Sequence, residues 1–295
     1  MRLGVVAPSS SVRDGRLQAA LDLLEAAGYQ TILGDHLYDR YGYLAGTDAA
    51  RAADLNSMFA RKDVDGILCA RGGYGSWRVL DLVDWDTVRA NPKVFIGYSD
   101  ITLLHLAMER RANLVTFHGP MAITIGKGLD PSTFEQFLAV VSRPVPAGTL
   151  PWDGVGKLVG GRAAGPLAGG CLSLLAAAVG TPDAPDFRGC IVLLEDVGES
   201  LPHVDRHLCQ LARSGCFRQA AGFVIGTVTG ARQEGADGAI TLEDLWQRYI
   251  VPLGKPAVWG FRFGHVENPL TLPLGCLAEL DADAGRLSIL EAAVV

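Results

Sequence analysis

A short apolar run leads through glycine into serine in the segment Val94-Phe95-Ile96-Gly97-Tyr98-Ser99-Asp100-Ile101. A helical pattern follows at once, so the segment predicts a strand, a tight turn and a helix. On such a turn the Ser99 hydroxyl projects from the sheet, and free N–H groups of the first helical turn lie beside it. This arrangement is typical of a serine nucleophile, although a serine in this position can equally be the N-cap of the helix. Ile101 stands where the α/β-hydrolase motif G-x-S-x-G has its second glycine, so the segment is not that motif.

Short apolar runs and helical patterns alternate on both sides of this segment, through the first half of the chain. Leu17, Ala20, Leu21 and Leu24 have the i, i+3, i+4, i+7 spacing of a helix, which Gly28 is placed to end. The alternation predicts βαβ units around a parallel sheet. The predicted strands lie at 3–7, 31–33, 66–69, 94–96 and 114–117, and the helices at 17–24, 48–60 and 100–110.

Glycine and proline accumulate between residues 144 and 170, which predicts an interdomain connection there. A chain of 295 residues is long enough for about two domains. An N-terminal domain would then span 1–143 and a C-terminal domain 171–295. In the second half, helices are predicted at 172–179, 204–212 and 242–250, and strands at 191–194, 223–226, 277–280 and 287–290.

A glycine-rich loop, Arg71-Gly72-Gly73-Tyr74-Gly75, directly follows the predicted strand 66–69. In a parallel sheet this loop emerges at the same carboxyl edge as Ser99, where such folds bind their ligands. Its glycines permit close approach of the backbone, whereas the simpler interpretation is a flexible turn. The loop lacks the G-x-G-x-x-G spacing of a dinucleotide site, so we expect no such cofactor.

A serine nucleophile needs a base, and the sequence contains six histidines. His118 follows the predicted strand 114–117 and competes with His265, which lies in a loop bracketed by glycine and proline. His105 lies inside the helix after the serine and is poorly placed to face it. His203 and His207 are four residues apart on a predicted helix, which indicates a solvated face rather than a metal site.

A carboxylate that orients the base is also needed, and Ile191-Val192-Leu193-Leu194-Glu195-Asp196 ends an apolar strand pattern in two acids. Carboxylates at the end of a buried strand are unfavourable unless they are paired. The alternative is that the strand simply ends at the surface.

The composition excludes several classes of protein. The 26 basic and 32 acidic residues give a formal net charge of −6 without long blocks of one sign, which disfavours binding to nucleic acid or an anionic membrane. The six cysteines form no CxxC pair, which indicates a reducing compartment and no cysteine-rich metal site. The first apolar run is too short for a secretory signal. We therefore expect a cytoplasmic protein that needs no metal.

Taken together, the motifs resemble those of the LD-carboxypeptidases, serine peptidases that include muramoyltetrapeptide carboxypeptidases and microcin C self-immunity peptidases. The resemblance implies a catalytic triad of Ser99, Glu195 and His265, with an oxyanion hole made by the backbone N–H groups of Gly73 and Asp100. It also implies a flavodoxin-like N-terminal domain, a smaller mixed α/β C-terminal domain, an active site at their interface, and a homodimer. The resemblance covers essentially the whole chain, and its segments are 44–48, 51–55, 71–75, 97–102, 118–121, 193–199, 264–265 and 272–275.

The resemblance further implies a substrate, a cytoplasmic murein tetrapeptide whose L,D bond to the terminal D-alanine is hydrolysed during murein recycling. The alternative substrate is a microcin C-like peptide–nucleotide or aminoacyl-adenylate conjugate, for which Tyr74 or Trp77 would supply an aromatic surface. We predict that Arg71 binds the substrate carboxylate and that Tyr74 lines the crevice. His118 is then either a second crevice residue or a structural one. One departure from the family is Cys171, where asparagine usually follows the paired glycines.

Two other classes of protein share parts of this pattern. A non-catalytic binding protein with a cleft between two domains has a similar α/β architecture. Such proteins are exported, however, and the first apolar run of this sequence is too short for a secretory signal. A glutamine-amidotransferase-like enzyme uses a similar turn with cysteine in place of Ser99. An α/β-hydrolase requires glycine at position 101.

Overall fold

The structure is a computed structural model that describes residues 1–13, 15–150, 154, 156–231 and 240–295. The chain forms two compact units. The first comprises residues 1–143, 270–273 and 294, and the second comprises residues 144–269, 274–293 and 295. The chain therefore leaves the first unit after Arg143 and returns to it for the short segment 270–273.

Strands and helices alternate through the first unit, and strands group into a second sheet further along the chain. The strands are β1 (Arg2–Val6), β2 (Gln30–Leu33), β3 (Gly66–Cys69), β4 (Val94–Gly97), β5 (Thr116–His118), β6 (Gly148–Thr149), β7 (Gly156–Val159), β8 (Arg162–Cys171), β9 (Ile191–Val197), β10 (Gly222–Thr229), β11 (Ala257–Trp259), β12 (Leu272–Leu274), β13 (Leu277–Asp281) and β14 (Arg286–Ile289). The α-helices are α1 (Arg16–Ala26), α2 (Asp48–Ala60), α3 (Trp85–Ala90), α4 (Thr102–Ala112), α5 (Ala122–Ile125), α6 (Pro131–Ser142), α7 (Leu172–Ala178), α8 (Leu201–Ser214) and α9 (Leu242–Tyr249). Short 3₁₀ turns cover Ser76–Leu82, Ser99–Ile101, Cys216–Gln219 and Val251–Leu253.

The sheet of the first unit has the strand order β12-β5-β4-β3-β1-β2. The pairs β1–β2, β1–β3, β3–β4 and β4–β5 are all parallel. The order 2-1-3-4-5 is that of flavodoxin-like folds, which confirms the predicted fold class. In such a sheet the order reverses between β1 and β3, and the loops that leave these strands border the usual ligand crevice.

The start of α2 and the end of α1 have the local features expected at helix termini. The Thr47 hydroxyl accepts a hydrogen bond from the backbone N–H of Ala50 at 3.2 Å, so α2 begins at the predicted residue 48. Gly28 follows α1 with a φ of +84°, a conformation that favours glycine. The apolar faces pack on the sheet, and Phe59 of α2 stacks on Phe95 of β4 with ring centroids 6.3 Å apart.

The sheet of the second unit has the order β6-β14-β13-β8-β9-β10-β11-β7. Its central pairs β8–β9, β9–β10 and β10–β11 are parallel. The pairs β11–β7, β13–β8, β13–β14 and β14–β6 are antiparallel. The unit is therefore mixed α/β, as expected, and its parallel centre explains the unbroken apolar run at the start of β9.

The region 144–170 differs from its prediction as an interdomain connection. It forms β6, β7 and most of β8, and it belongs to the second unit. Its glycines allow close packing rather than flexibility, since a Cβ at Gly165 would collide with the carbonyl oxygen of Gly189 and one at Gly169 with that of Leu193. The second unit is consequently about as long as the first and is not the smaller domain that we expected.

Candidate active site

Ser99 occupies the turn between β4 and α4 with a φ of +64°. Such a left-handed conformation is uncommon for a residue with a side chain and carries a strain of about 1–3 kcal/mol. The turn also requires Gly97, because a Cβ there would lie 2.8 Å from Cγ2 of Ile101. Neither the 3₁₀ turn nor α4 has a side-chain hydrogen bond at its N-cap, so Ser99 is not the capping residue of the alternative interpretation. The strain instead resembles that of a nucleophile elbow.

The loop 71–75 lies directly against Ser99. A Cβ at Gly72 would be 2.9 Å from Cβ of Ser99 and 3.3 Å from the backbone nitrogen of Asp100. Gly73 has a φ of +116°, and a Cβ there would collide with Oγ of Ser10. Glycine is therefore required at both positions for the loop backbone to approach the serine. The carboxyl ends of β3 and β4 bring these two motifs together, as the parallel sheet predicts.

Glu195 and His265 form a close pair in the second unit. Oε2 of Glu195 lies 2.7 Å from Nδ1 of His265 and accepts a second hydrogen bond from its backbone N–H at 3.2 Å. Glu195 is fully buried near the end of β9, and Gly264 has a φ of +80° with no room for a Cβ against the carboxylate. An ionised carboxylate only accepts hydrogen bonds, so it holds the proton on Nδ1 and leaves the lone pair on Nε2.

Asp196, the second acid at the end of this strand, has different partners. It is buried and accepts hydrogen bonds from the backbone N–H of Ser173 at 2.8 Å and from the thiol of Cys171 at 3.3 Å. Ser173 lies in the first turn of α7, so Asp196 holds the N-terminus of that helix. Burial, together with the charges of Glu195 and Asp196, raises the pKa of Cys171 and keeps it a neutral thiol. Both acids are therefore paired, and the strand does not simply end at the surface.

Two of the predicted substrate-binding residues, Arg71 and Tyr74, belong to the glycine-rich loop. Arg71 is half-buried and donates to the carbonyl oxygens of Gly72 and Ser11 at 3.2 and 3.3 Å. Tyr74 is 72% exposed and meets the ring of Tyr43 edge-on at 6.4 Å. These contacts leave an exposed aromatic surface beside the glycine loop.

His118 is fully buried on β5, with its ring 5.8 Å from that of Tyr98 and 6.4 Å from that of His105. Its strand continues through residue 118, whereas the sequence predicts that the strand ends before it. These contacts are those of a packing residue, whereas a place for His118 at the substrate crevice stays a prediction.

The part of the chain that the structure describes provides neither a metal-binding cluster nor a membrane-spanning helix. Across 1–13, 15–150, 154, 156–231 and 240–295, no three His, Cys, Asp or Glu side chains are grouped so that they could hold a metal ion. His203 lies 2.9 Å from Glu199 on an exposed face of α8, in agreement with the predicted solvated face. Within the same part of the chain, none of the helices has both the length and the apolar character needed to cross a bilayer.

Sequence reasoning missed the side chains that hold the loops of the first unit together, above all Arg51, Ser9 and Ser76. The Arg51 side chain is fully buried and donates to the carbonyl oxygens of Pro8 and Gly75. The helical periodicity predicts that Arg51 lies on the inner face of α2. The sequence around it does not predict which groups its guanidinium binds, because those groups come from other loops.

Two family models match the chain, the LD-carboxypeptidase N-terminal domain over residues 3–119 and the LD-carboxypeptidase C-terminal domain over residues 164–280. The Streptomyces coelicolor protein SCO6489 is 46% identical over 98% of this chain and 93% of its own length. The murein tetrapeptide carboxypeptidase of Pseudomonas aeruginosa is 35% identical over 97% of this chain and 94% of its own length. The microcin C7 self-immunity protein MccF of Escherichia coli is 27% identical over 97% and 91%, respectively.

A solved structure extends these similarities to the fold. The muramoyltetrapeptide carboxypeptidase from Oxalobacter formigenes has a TM-score of 0.87 and 29% sequence identity, with 99% of each chain covered. The two family models match in the expected order and together cover most of the chain. The chain therefore belongs to the LD-carboxypeptidase family of serine-type hydrolases.

Proposed function

We propose that this protein is a cytoplasmic carboxypeptidase of murein recycling, which hydrolyses the L,D bond to the terminal D-alanine of murein tetrapeptides. The observation that carries the proposal is the left-handed φ of +64° at Ser99, on a strand-to-helix turn packed against a glycine loop. Strain of this kind persists where the surrounding structure enforces it, and it concentrates at reactive residues. The names of the Pseudomonas and Oxalobacter relatives support the choice of a murein peptide.

Ser99, His265 and Glu195 act as the catalytic triad in this proposal. The Ser99 oxygen attacks the scissile carbonyl carbon while its proton moves to Nε2 of His265. The bond to D-alanine then breaks, His265 returns the proton to the leaving amine, and water hydrolyses the resulting acyl-enzyme. Glu195 keeps the proton on Nδ1 and stabilises the imidazolium, a role supported by the 2.7 Å contact between Oε2 and Nδ1.

The backbone N–H groups of Gly73 and Asp100 are proposed to bind the oxyanion. Their suitability rests on the closeness of the glycine loop to Ser99 and to the nitrogen of Asp100. Donors fixed in this way stabilise the charge that develops on the carbonyl oxygen in the transition state. Arg71, beside the same loop, is proposed to bind the carboxylate of the terminal D-alanine. We also propose that the protein acts as a homodimer.

A second candidate function is hydrolysis of a microcin C-like conjugate. The exposed edge-to-face pair of Tyr43 and Tyr74 favours it, because a nucleotide base can stack on an aromatic ring. The similarity to MccF also supports it.

The two candidates are separated by incubating the purified protein with a murein tetrapeptide, its all-L analogue, and a microcin C-like conjugate. Products are followed by mass spectrometry, with Ser99→Ala as the control for contaminating peptidases. Release of D-alanine from the first substrate alone supports the recycling function. Cleavage of the conjugate with the tetrapeptide left intact supports the second candidate and contradicts the first.

A further inference from the structure

The carboxylate of Asp100 joins three loops of the first unit. Its Oδ2 accepts hydrogen bonds from the hydroxyl of Ser9, which follows β1, at 2.6 Å and from the backbone N–H of Ser76, which follows β3, at 2.8 Å. In return, the Ser76 hydroxyl donates to the backbone oxygen of Asp100 at 2.5 Å. Asp100 itself follows β4 and is 4% exposed. One acid therefore links the ends of three neighbouring strands.

Two further side chains hold the same loops. Arg51 donates to the carbonyl oxygens of Pro8 and Gly75, the latter at 2.7 Å. The hydroxyl of Ser10 accepts a hydrogen bond from the backbone N–H of Tyr74 at 3.2 Å. The backbone directly after Gly73 is consequently fixed by side chains from α2 and from the loop that follows β1.

A gain in stability does not by itself explain why this buried network is present. Burial raises the pKa of Asp100, so ionisation of this carboxyl is opposed by its surroundings and is supported by the hydrogen bonds that it accepts. A buried acid and a buried guanidinium are expensive to desolvate, and apolar side chains often stabilise the same space as well or better. The network does, however, hold the backbone next to two particular N–H groups, those of Gly73 and of Asp100.

We propose that the side chain of Asp100 is a positioning residue that sets the spacing between the N–H groups of Gly73 and Asp100. The inference rests on the proposed function, in which these groups bind the oxyanion. The carboxylate touches neither the substrate nor the reacting atoms. It acts through the backbone, with Ser9 and Ser76 as its partners.

The short lifetime of the oxyanion determines how kcat and KM should respond to a substitution of Asp100. It forms only as the serine attacks, so a displaced donor weakens the transition state and leaves binding of the substrate nearly unchanged. Complete loss of one oxyanion donor lowers kcat by roughly 10²–10³-fold. For a donor that is displaced but still present, we expect about 10–10²-fold in Asp100→Ala, with KM within about twofold of the wild type. Asp100→Asn keeps an acceptor oxygen and should recover most of the lost kcat.

The experiment measures kcat and KM on a murein tetrapeptide, together with the rate at which a fluorophosphonate labels Ser99. The variants are Asp100→Ala, Asp100→Asn and Ser9→Ala, and the last two carry the test if Asp100→Ala fails to fold. Asp54→Ala is the matched control, because Asp54 is another acid of this unit that is only 5% exposed, and its hydrogen bonds go to His36. We expect it to lower the melting temperature while kcat stays at the wild-type value.

The positioning role is supported if kcat and the labelling rate fall together in Asp100→Ala and Ser9→Ala, KM holds, and Asp100→Asn is restored. It is overturned if kcat is unchanged, if KM rises as much as kcat falls, or if the loss matches that of Asp54→Ala. A different result marks failure of the proposed function itself: no labelling of Ser99 in the wild type, or full turnover in Ser99→Ala. That result removes the basis of the positioning role as well.

Discussion

The Ser99 turn of the first unit and the Glu195–His265 pair of the second are built in opposite ways. The first is a backbone structure, in which a left-handed residue and two glycines bring the loops after β3 and β4 together. The second is a pair of side chains, 70 positions apart in the chain, joined by one 2.7 Å contact. Backbone strain therefore distinguishes one candidate site region, and a buried carboxylate–imidazole contact distinguishes the other. We therefore expect substitutions in the two regions to affect activity and stability differently.

The largest expected effect is at Ser99. Ser99→Ala should reduce turnover to less than about a thousandth of the wild-type rate, because only binding and the oxyanion donors remain. Ser99→Gly should be equally inactive but more stable than Ser99→Ala, since glycine adopts a φ of +64° without strain. Rates are measured by release of D-alanine, and stability by thermal unfolding. Equal melting temperatures for the two variants would contradict storage of strain at this turn.

Glu195 and His265 should fail as one unit. His265→Ala should lower kcat by about 10³-fold or more, and the double variant Glu195→Ala/His265→Ala should lose little beyond that, because an orienting acid has no function without its base. The double-mutant comparison is made on kcat for the tetrapeptide. Additive losses would break the triad, and a larger loss in His118→Ala than in His265→Ala would move the base to His118.

A smaller effect is expected at Gly264, which combines both kinds of constraint. In Gly264→Ala the new methyl group meets the Glu195 carboxylate, so we expect about 10-fold or greater loss of kcat and a destabilisation of about 1–3 kcal/mol. Gly254→Ala is the matched control, because Gly254 also has a positive φ, +66°, but no atom lies within 4 Å of the place that its new methyl group would take. It should be destabilised while kcat is retained. Equal loss of kcat in both variants would show that strain alone, without the contact to Glu195, lowers activity.

A further effect concerns stability in acid and leaves turnover at neutral pH unchanged. Burial lowers the pKa of His105 to about 3, and its Nε2 lies 2.9 Å from the carbonyl oxygen of Gly97 at the start of the Ser99 turn. Between pH 6.5 and 3 the unfolded chain binds a proton that the folded chain excludes, so stability falls as the pH is lowered. From about pH 7 to about pH 4.5 the histidine should contribute a loss on the order of 3 kcal/mol.

His105→Gln removes this titration and should therefore lose less stability than the wild type over the same pH range. The free energy of unfolding is measured with urea at both pH values. A constant difference between the two proteins would mean that His105 does not resist protonation in the folded state.

The contrast between the two regions also explains what could be predicted from sequence. The Ser99 turn and α2 are local, so an apolar run, a glycine and the helical patterns of their own segments were sufficient to predict them. The choice of His265 over His118 was not available from spacing, because the contact with Glu195 depends on the tertiary fold, and only the resemblance to the family favoured it. The family assignment is confirmed by the comparisons, whereas the roles of these residues stay predictions.

Other features were missed because their cause is distant in the chain. Considered within their own segment, the glycines of β8 predict an interdomain connection. In the structure they are needed because the backbone at residues 189 and 193 lies too close for a side chain. β12 has three residues and pairs with β5, far from it in sequence, so no periodicity identifies it. The burial of Arg51 depends on carbonyl groups from two separate loops.

The return of the chain to the first unit at residues 270–273 has a consequence for dissecting the protein. A recombinant fragment ending at Arg143 would lack β12, and β5 would become an unprotected edge strand prone to aggregation. It would also lack Thr271, whose backbone N–H and C=O pair with the side chain of Gln136 at 3.0 and 2.9 Å. Chimaeras that exchange the second unit with a relative's should therefore be joined at three points, after residues 143, 269 and 273, rather than at one.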